Sequence, residues 1–417
     1  MNLLDFIPIA FVMIAVFGVL NYHVLKIPGT VGMLIIALAA SALVTVVDRV
    51  LPGLSLGVAV RGAIAGIDFH KTLMEGMLSF LLFAGALHVD LGALMKRKAA
   101  IALMASVGVV MSTVIIGYGF HLVSGVAIMT AFVFGALISP TDPVAVMGVL
   151  KTVKVPKSLE TKIAGESLFN DGIGIVIFSV LVGIAFPAAG HAIKVNAGAI
   201  ILFLLQEALG GAVLGGIAGY IAYLVLKSID EYVLEIIITL ALVTGTYALA
   251  TQLHMSGPIA VVVAGLFIGN RGVKYAMSEK TREHLLNFWH LIDEILNALL
   301  FTLIGFETLA LDFQANYLIA GLVAIPIMVG ARLLSVTVPI RILSLRQEFT
   351  KGAIPVMTWG GLRGGISVAL ALSLPHGPER DLILTATTII VIFSIVVQGL
   401  TVGWVIRKTV GEPKTPE

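Results

Sequence analysis

The chain has 417 residues, 59% of them hydrophobic and 12% charged, with a mean hydropathy of +1.06 and a formal net charge of +2. A soluble domain carries roughly a quarter charged residues, so this chain has too little polar surface to cover itself in water and must be solvated by lipid. The absence of cysteine excludes disulfides, thiolate metal sites and cysteine catalysis, and so small a net charge without a basic tail gives no reason to expect a nucleic-acid partner.

Apolar runs of about 20 residues, long enough to cross a ~30 Å hydrocarbon core, predict an all-α polytopic membrane protein of thirteen helices. They lie near 3–22, 29–47, 73–92, 99–121, 125–150, 163–187, 197–226, 231–253, 256–270, 288–310, 316–343, 352–374 and 381–407. The first run has no basic stretch before it and is followed by further spans, so it reads as a span and not as a detachable leader. The longest interruptions are 48–72 and 271–287, the second a charged link expected to form an amphipathic helix. With the N-terminus outside, one set of loops holds 19 lysines and arginines and the opposite set holds 5. The positive-inside rule therefore predicts an inner-membrane protein with the N-terminus outside and the C-terminus in the cytoplasm. An even number of spans would spoil that partition.

Arg332 and Arg363 fall inside spans, as do Asp142, Glu166 and Asp171. A charge at the centre of a membrane helix costs at least ~2.5–3.5 kcal/mol, so such groups are paired or functional. The fifth span reads Gly-Ala-Leu-Ile-Ser-Pro-Thr-Asp-Pro-Val-Ala-Val over 135–146. Pro140 and Pro143 each remove a backbone donor and disfavour helix in the preceding residue, which predicts unwinding at Thr141-Asp142. Unwound backbone at membrane depth must line a cavity or be buried in protein. Freed carbonyls, a hydroxyl and a carboxylate suit a hard cation; the plainer alternative is a proline kink with Asp142 capping the second half-helix.

The twelfth span holds a comparable interruption, with four glycines around Arg363 in Trp-Gly-Gly-Leu-Arg-Gly-Gly-Ile-Ser-Val-Ala-Leu over 359–370. Paired broken segments in corresponding positions point to a transport site built on inverted repeats. Arg363 is placed to offset the negative ends of broken half-helices; tight packing through glycine explains the glycines but not the arginine. On the sixth span Ser167, Asn170 and Asp171 share a face, and Glu166 borders it. The plainer alternative for Asp171 is a neutral acid or half of an ion pair, and Thr141-Asp142 on the neighbouring span weighs against it. Arg332 cannot be neutralised, so it needs an acid, and Glu166 is the candidate that leaves Asp171 free to titrate.

Thr141-Asp142-Pro143, Gly165-Glu166-Ser167 with Asn170-Asp171, Ala331-Arg332, and the run from Gly361 to Leu370 resemble the sodium:proton antiporters of the NhaP and mammalian sodium/proton exchanger group. The segment from Leu374-Pro-His-Gly-Pro through Thr385 to Ser394-Ile-Val-Val-Gln-Gly-Leu-Thr401 also resembles the bacterial members. The resemblance implies a thirteen-helix inverted-repeat fold with two discontinuous crossing helices. It implies a mobile ion-carrying core, about 99–187 and 316–407, and a homodimeric scaffold, about 1–92 and 197–310. It further implies that sodium is held by Asp171, Asp142, Thr141 and Ser167, with Asn170 beside them, and that Glu166 pairs with Arg332. Asn170 stands where electrogenic relatives carry a second aspartate, which implies electroneutral exchange.

The resulting expectation is a secondary antiporter exchanging sodium, with lithium as a second cation, for protons by alternating access, serving pH homeostasis without a cofactor. A potassium/proton antiporter is the nearest alternative. A channel would need polar residues along a whole helix face, whereas here they gather at one level. An enzyme would need a nucleophile and base or a metal pair, and neither His-Glu-x-x-His nor Gly-x-Ser-x-Gly occurs.

Overall fold

A computed structural model describes residues 3–51, 76–142, 146, 155–187, 197–310, 314–345 and 349–410, and every regular element among them is a helix. The solvent dictates this: in hydrocarbon no water takes up backbone N–H and C=O groups, so a spanning segment satisfies them internally. In chain order the helices are α1 (Leu3–Leu20, prolonged by a π turn, Asn21–Leu25), α2 (Gly29–Val50), α3 (Leu78–Leu87) and α4 (Lys98–Ser124). Next come α5 (Ile128–Ile138), α6 (Lys157–Ala185), α7 (Leu202–Lys227), α8 (Tyr232–Gln252) and α9 (Gly257–Phe267). The last are α10 (Glu279–Glu307), α11 (Ala315–Leu343), α12 (Ala353–Trp359), α13 (Gly365–Leu372) and α14 (Pro378–Val410). Nine stretches among the described residues are long and apolar enough to cross a membrane. Helix also occupies the other four expected segments, as the shorter α3, α5 and α9 and the broken pair α12–α13.

The second half of the charged link at 271–287 forms an amphipathic helix as expected, and that helix is the beginning of α10, a continuous helix of 29 residues. Ser278 caps it, accepting the Thr281 N–H at 3.3 Å. The apolar face of those first turns buries Leu285 and Trp289 and runs on without a break into the span, so nothing stops the helix.

The helices pack in two sets. In one, α4 lies along α5 and α11, α6 along α5, and α14 along α11 and α13. In the other, α10 packs on α2 and α3, and α9 on α3, α7 and α8. Sparser contacts join the sets, chiefly α6 with α7 and α9, and α10 with α13. Water-avoidance gives lipid-embedded helices no reason to associate, so close packing takes its place. On α7, Gly215 lies so near the Ala260 backbone of α9 that a side chain there would collide with it.

Candidate ion-binding site

The two interrupted helices meet at their breaks. α5 ends at Ile138 and the chain is non-helical through Asp142. Pro143 and most of the second half of that span lie outside the described residues. Between α12 and α13 the chain is unwound over 361–364. The Asp142 N–H donates to the Leu362 carbonyl at 2.8 Å, tying one break to the other. Arg363, fully buried, donates from one guanidinium nitrogen to the carbonyls of Ser139 and, at 2.8 Å, Pro140. It thus meets carbonyls that α5 leaves unpaired at its C-terminal, negative end.

A neighbour the sequence left unassigned holds Arg363 in place. Its N–H donates to Ser394 Oγ at 2.8 Å, and Ser394 Oγ donates to Gln398 Oε1 at 2.7 Å. Both residues sit in a π turn, Phe393–Gln398, within α14. Such a turn re-aims side chains and cannot be read from an apolar run.

α6 presents its polar face to the first break. The Thr141 N–H donates to Asn170 Oδ1 at 3.2 Å, Asn170 Nδ2 donates to Thr141 Oγ1 at 2.8 Å, and the Thr141 and Ser167 hydroxyls are 3.0 Å apart. Asn170 therefore clamps the unwound backbone with both ends of its amide, a use in which an aspartate could not donate. Thr141, Ser167, Asn170 and Asp171 are all at most 5% exposed. Asp171 makes no hydrogen bond or ion pair among the described residues, although Asp142 lies within electrostatic reach of it.

The half-helix that Asp142 was read as capping lies outside the described residues. Its carboxylate lies against Gly364, at the N-terminal end of α13. A carboxylate there is favoured by the positive end of the helix. A Cβ at Gly364 would overlap that carboxylate. Gly364→Ala is therefore expected to displace Asp142 and lower sodium-dependent exchange at least about tenfold, by analogy with the cost of misplacing a positioned group. An unchanged rate in vesicles would show that Asp142 has no fixed place.

Glu166 and Arg332 form a bidentate pair, with Nη2 donating to Oε2 at 3.0 Å and Nη1 to Oε1. Arg332 Nε also donates to the Met357 carbonyl near the end of α12, at 3.2 Å. Gly361 leaves room for the guanidinium, which a side chain would strike. The pair links α6 to α11 and, through Met357, to α12. Every acidic and basic residue the sequence placed within the site is thus close to one of the two breaks, but in different company. Asp142 meets a helix N-terminus, Arg363 carbonyls and Arg332 its acid, while Asp171 has no such partner among the described residues.

A bundle of apolar helices with two interruptions in contact, and a buried carboxylate beside them, defines the fold of a secondary transporter. The chain belongs to the family described as sodium/hydrogen exchanger, transmembrane, whose model matches residues 10–408. It is 47% identical over 409 residues to the Na(+)/H(+) antiporter NhaP of Pseudomonas aeruginosa, covering 94% of each chain. It is 36% identical over 344 residues to the Na(+)/H(+) antiporter NhaH of Halobacillus dabanensis, covering 82% of this chain and 83% of that one. Its fold matches the sodium proton antiporter MjNhaP1 of Methanocaldococcus jannaschii at pH 8 with a TM-score of 0.78 and 20% identity, over 98% of this chain and 99% of that one.

Proposed function

We propose that this chain is a secondary antiporter of the inner membrane, N-terminus outside, that exchanges one sodium ion (or lithium) for one proton. The observation that carries the reading is Asp171, a carboxylate 5% exposed with no hydrogen bond or ion pair among the described residues, beside the hydroxyls of the unwound segment. Leaving a buried charge uncompensated is costly, so the site is relieved by a proton or by a small cation. Asp171, Asp142, Thr141 Oγ1 and Ser167 Oγ supply oxygens for that cation, a donor set suited to a hard ion. Asn170, occupied on Thr141, holds the segment in shape. The names of the relatives favour sodium as the cation.

Alternating access then follows from what a charged core would have to pass. The moving core comprises helices within about 99–187 and 316–407, and the scaffold, which pairs with a second copy, those within about 1–92 and 197–310. The seam between them is apolar beside the site: Gly172, next to Asp171, abuts Ile259 of α9, and Gly365 abuts Leu300 of α10. A core carrying a bare carboxylate is held back by that seam, whereas a proton-loaded or sodium-loaded core slides along it. One carboxylate exchanging one cation for one proton moves no net charge.

Proton flux in proteoliposomes, followed with a pH-sensitive dye as sodium, lithium and potassium are applied in turn, tests the reading. Sodium and lithium are expected to drive it, and a response to potassium alone overturns the cation assignment. Competition by a single proton also predicts that the half-saturating sodium concentration rises about tenfold for each pH unit of acidification below the titration of the site. A rise of about a hundredfold would require two protons.

Asn170→Asp adds a second carboxylate while removing the donor that Thr141 Oγ1 accepts. The expected result is weaker sodium binding together with stimulation of exchange by an imposed membrane potential, read in the same vesicles. Indifference to potential would mean that the added group stays protonated throughout the cycle.

A further inference from the structure

One buried cation plays no part in the exchange mechanism. Lys162 lies on α6 one turn before Glu166 and is 5% exposed, yet it forms no hydrogen bond or ion pair among the described residues. Its Nζ sits over the Phe349 ring, 3.9 Å from the centroid. A cation–π contact offsets part of the desolvation of an ammonium and gives none of its three N–H donors an oxygen acceptor. A charge of the same sign is within electrostatic reach: the Arg97 guanidinium, from the link between α3 and α4, acts on Lys162. Two cations within reach of each other, with no ion pair to either among the described residues, raise each other's energy.

The groups around them are also those an anion would use. α6 begins after Pro156, which provides no side-chain cap; the Leu159 and Glu160 N–H groups turn back to the Pro156 carbonyl, while those of Lys157 and Ser158 have no acceptor among the described residues at the positive end of a 29-residue helix. Ser158, on the same face as Lys162 one turn earlier, has its hydroxyl 2.9 Å from that of Thr350, the neighbour of Phe349. Ser158, Thr350 and Arg97 are all partly exposed, so the cluster opens outward. Glu160, in the same first turn, is partly exposed and forms no ion pair among the described residues.

We propose that Lys162, Arg97 and the first turn of α6, with Ser158 and Thr350, form a binding site for a phosphate group. By the lysine and arginine count this end of α6 faces the cytoplasm, where anionic phospholipid head groups supply phosphate at the depth of a helix end. Free inorganic phosphate offers the same chemistry from solution. Charge-assisted contacts from two cations and helix N–H groups would satisfy the ammonium that Phe349 shields only in part.

The test is thermal stability of the detergent-solubilised protein titrated separately with phosphatidylglycerol, phosphatidylcholine and potassium phosphate, in the native chain, Lys162→Met and Arg97→Gln. In the native chain phosphatidylglycerol is expected to raise the unfolding temperature beyond phosphatidylcholine, with half-effect at about tenfold higher lipid in either variant, the loss expected for one charge-assisted contact. An equivalent, variant-sensitive response to potassium phosphate would assign the site to the free anion; a response to phosphatidylglycerol alone would assign it to lipid. If neither phosphate source stabilises the native chain, or if both variants respond as it does, the site does not exist and Lys162 merely packs on Phe349. Arg97→Gln keeps the test decisive should Lys162→Met fail to fold, because Arg97 is only partly buried.

Discussion

Asp171→Asn is expected to abolish sodium-driven proton flux while leaving the protein folded. The change is nearly isosteric and keeps two hydrogen-bonding heavy atoms, so the packing of Gly172 on Ile259 and of Gly174 on the Pro140 ring has no reason to shift. On the proposed mechanism, what is lost is the charge that sodium and the proton each neutralise. The carboxylate is almost wholly buried and makes no hydrogen bond or ion pair among the described residues, so its removal also takes away a desolvation cost. At alkaline pH the variant should unfold at the same temperature as the native protein, or higher. A catalytically dead variant that is no less stable separates a transport role from a structural one.

Sodium gives a second readout. A ligand at a hundred times its dissociation constant stabilises the state it binds by about 2.7 kcal/mol. The native protein should therefore gain thermal stability from saturating sodium at alkaline pH, and Asp171→Asn should gain none. Persistent sodium-driven flux in the variant, or an undiminished sodium stabilisation, would remove Asp171 from the centre of the mechanism.

How far the site could be read from the sequence depends on what kind of constraint fixes each residue. Arg332 and Glu166 were legible because a guanidinium in a membrane helix has few ways to exist, and the spans offer few acids. The common face of Ser167, Asn170 and Asp171 follows from helical geometry alone. The break before Asp142 follows from proline chemistry, and the one around Arg363 from its glycines. The hidden part was everything set by the approach of one break to the other. No spacing rule places the Asp142 carboxylate against Gly364, or Met357 O on Arg332 Nε. Ser394 and Gln398 depend on a π turn, a half-step in register that leaves no mark in hydrophobicity. The amphipathic helix before the tenth span was legible from its charges, but not its continuity: the buried stripe through Leu285 and Trp289 carries it straight into the span.

The ion pair between α6 and α11 supplies the other large effect, and its two halves should not behave alike. Glu166→Gln leaves the Arg332 guanidinium, 7% exposed, with the Met357 carbonyl at 3.2 Å and no counter-charge. Removing one partner of a buried pair typically costs ~3–5 kcal/mol, and a guanidinium cannot escape by losing its proton. Arg332→Met leaves a carboxyl group instead, which can escape by taking one up. Glu166→Gln is therefore expected to be the more damaging, at every pH. The damage from Arg332→Met should shrink as the medium is acidified. In the double variant neither charge remains, and the apolar methionine chain partly refills the space that Gly361 leaves open, so most of the lost stability should return. A double-mutant cycle on unfolding temperature at two pH values measures this directly. Additive losses, or equal and pH-independent ones, would mean that the pair adds little to the bundle and that Arg332 is held chiefly by α12. Recovery of stability without recovery of exchange would show instead that the pair does more than hold α6 in place, and that its charges bear on the ion bound one turn further along the helix.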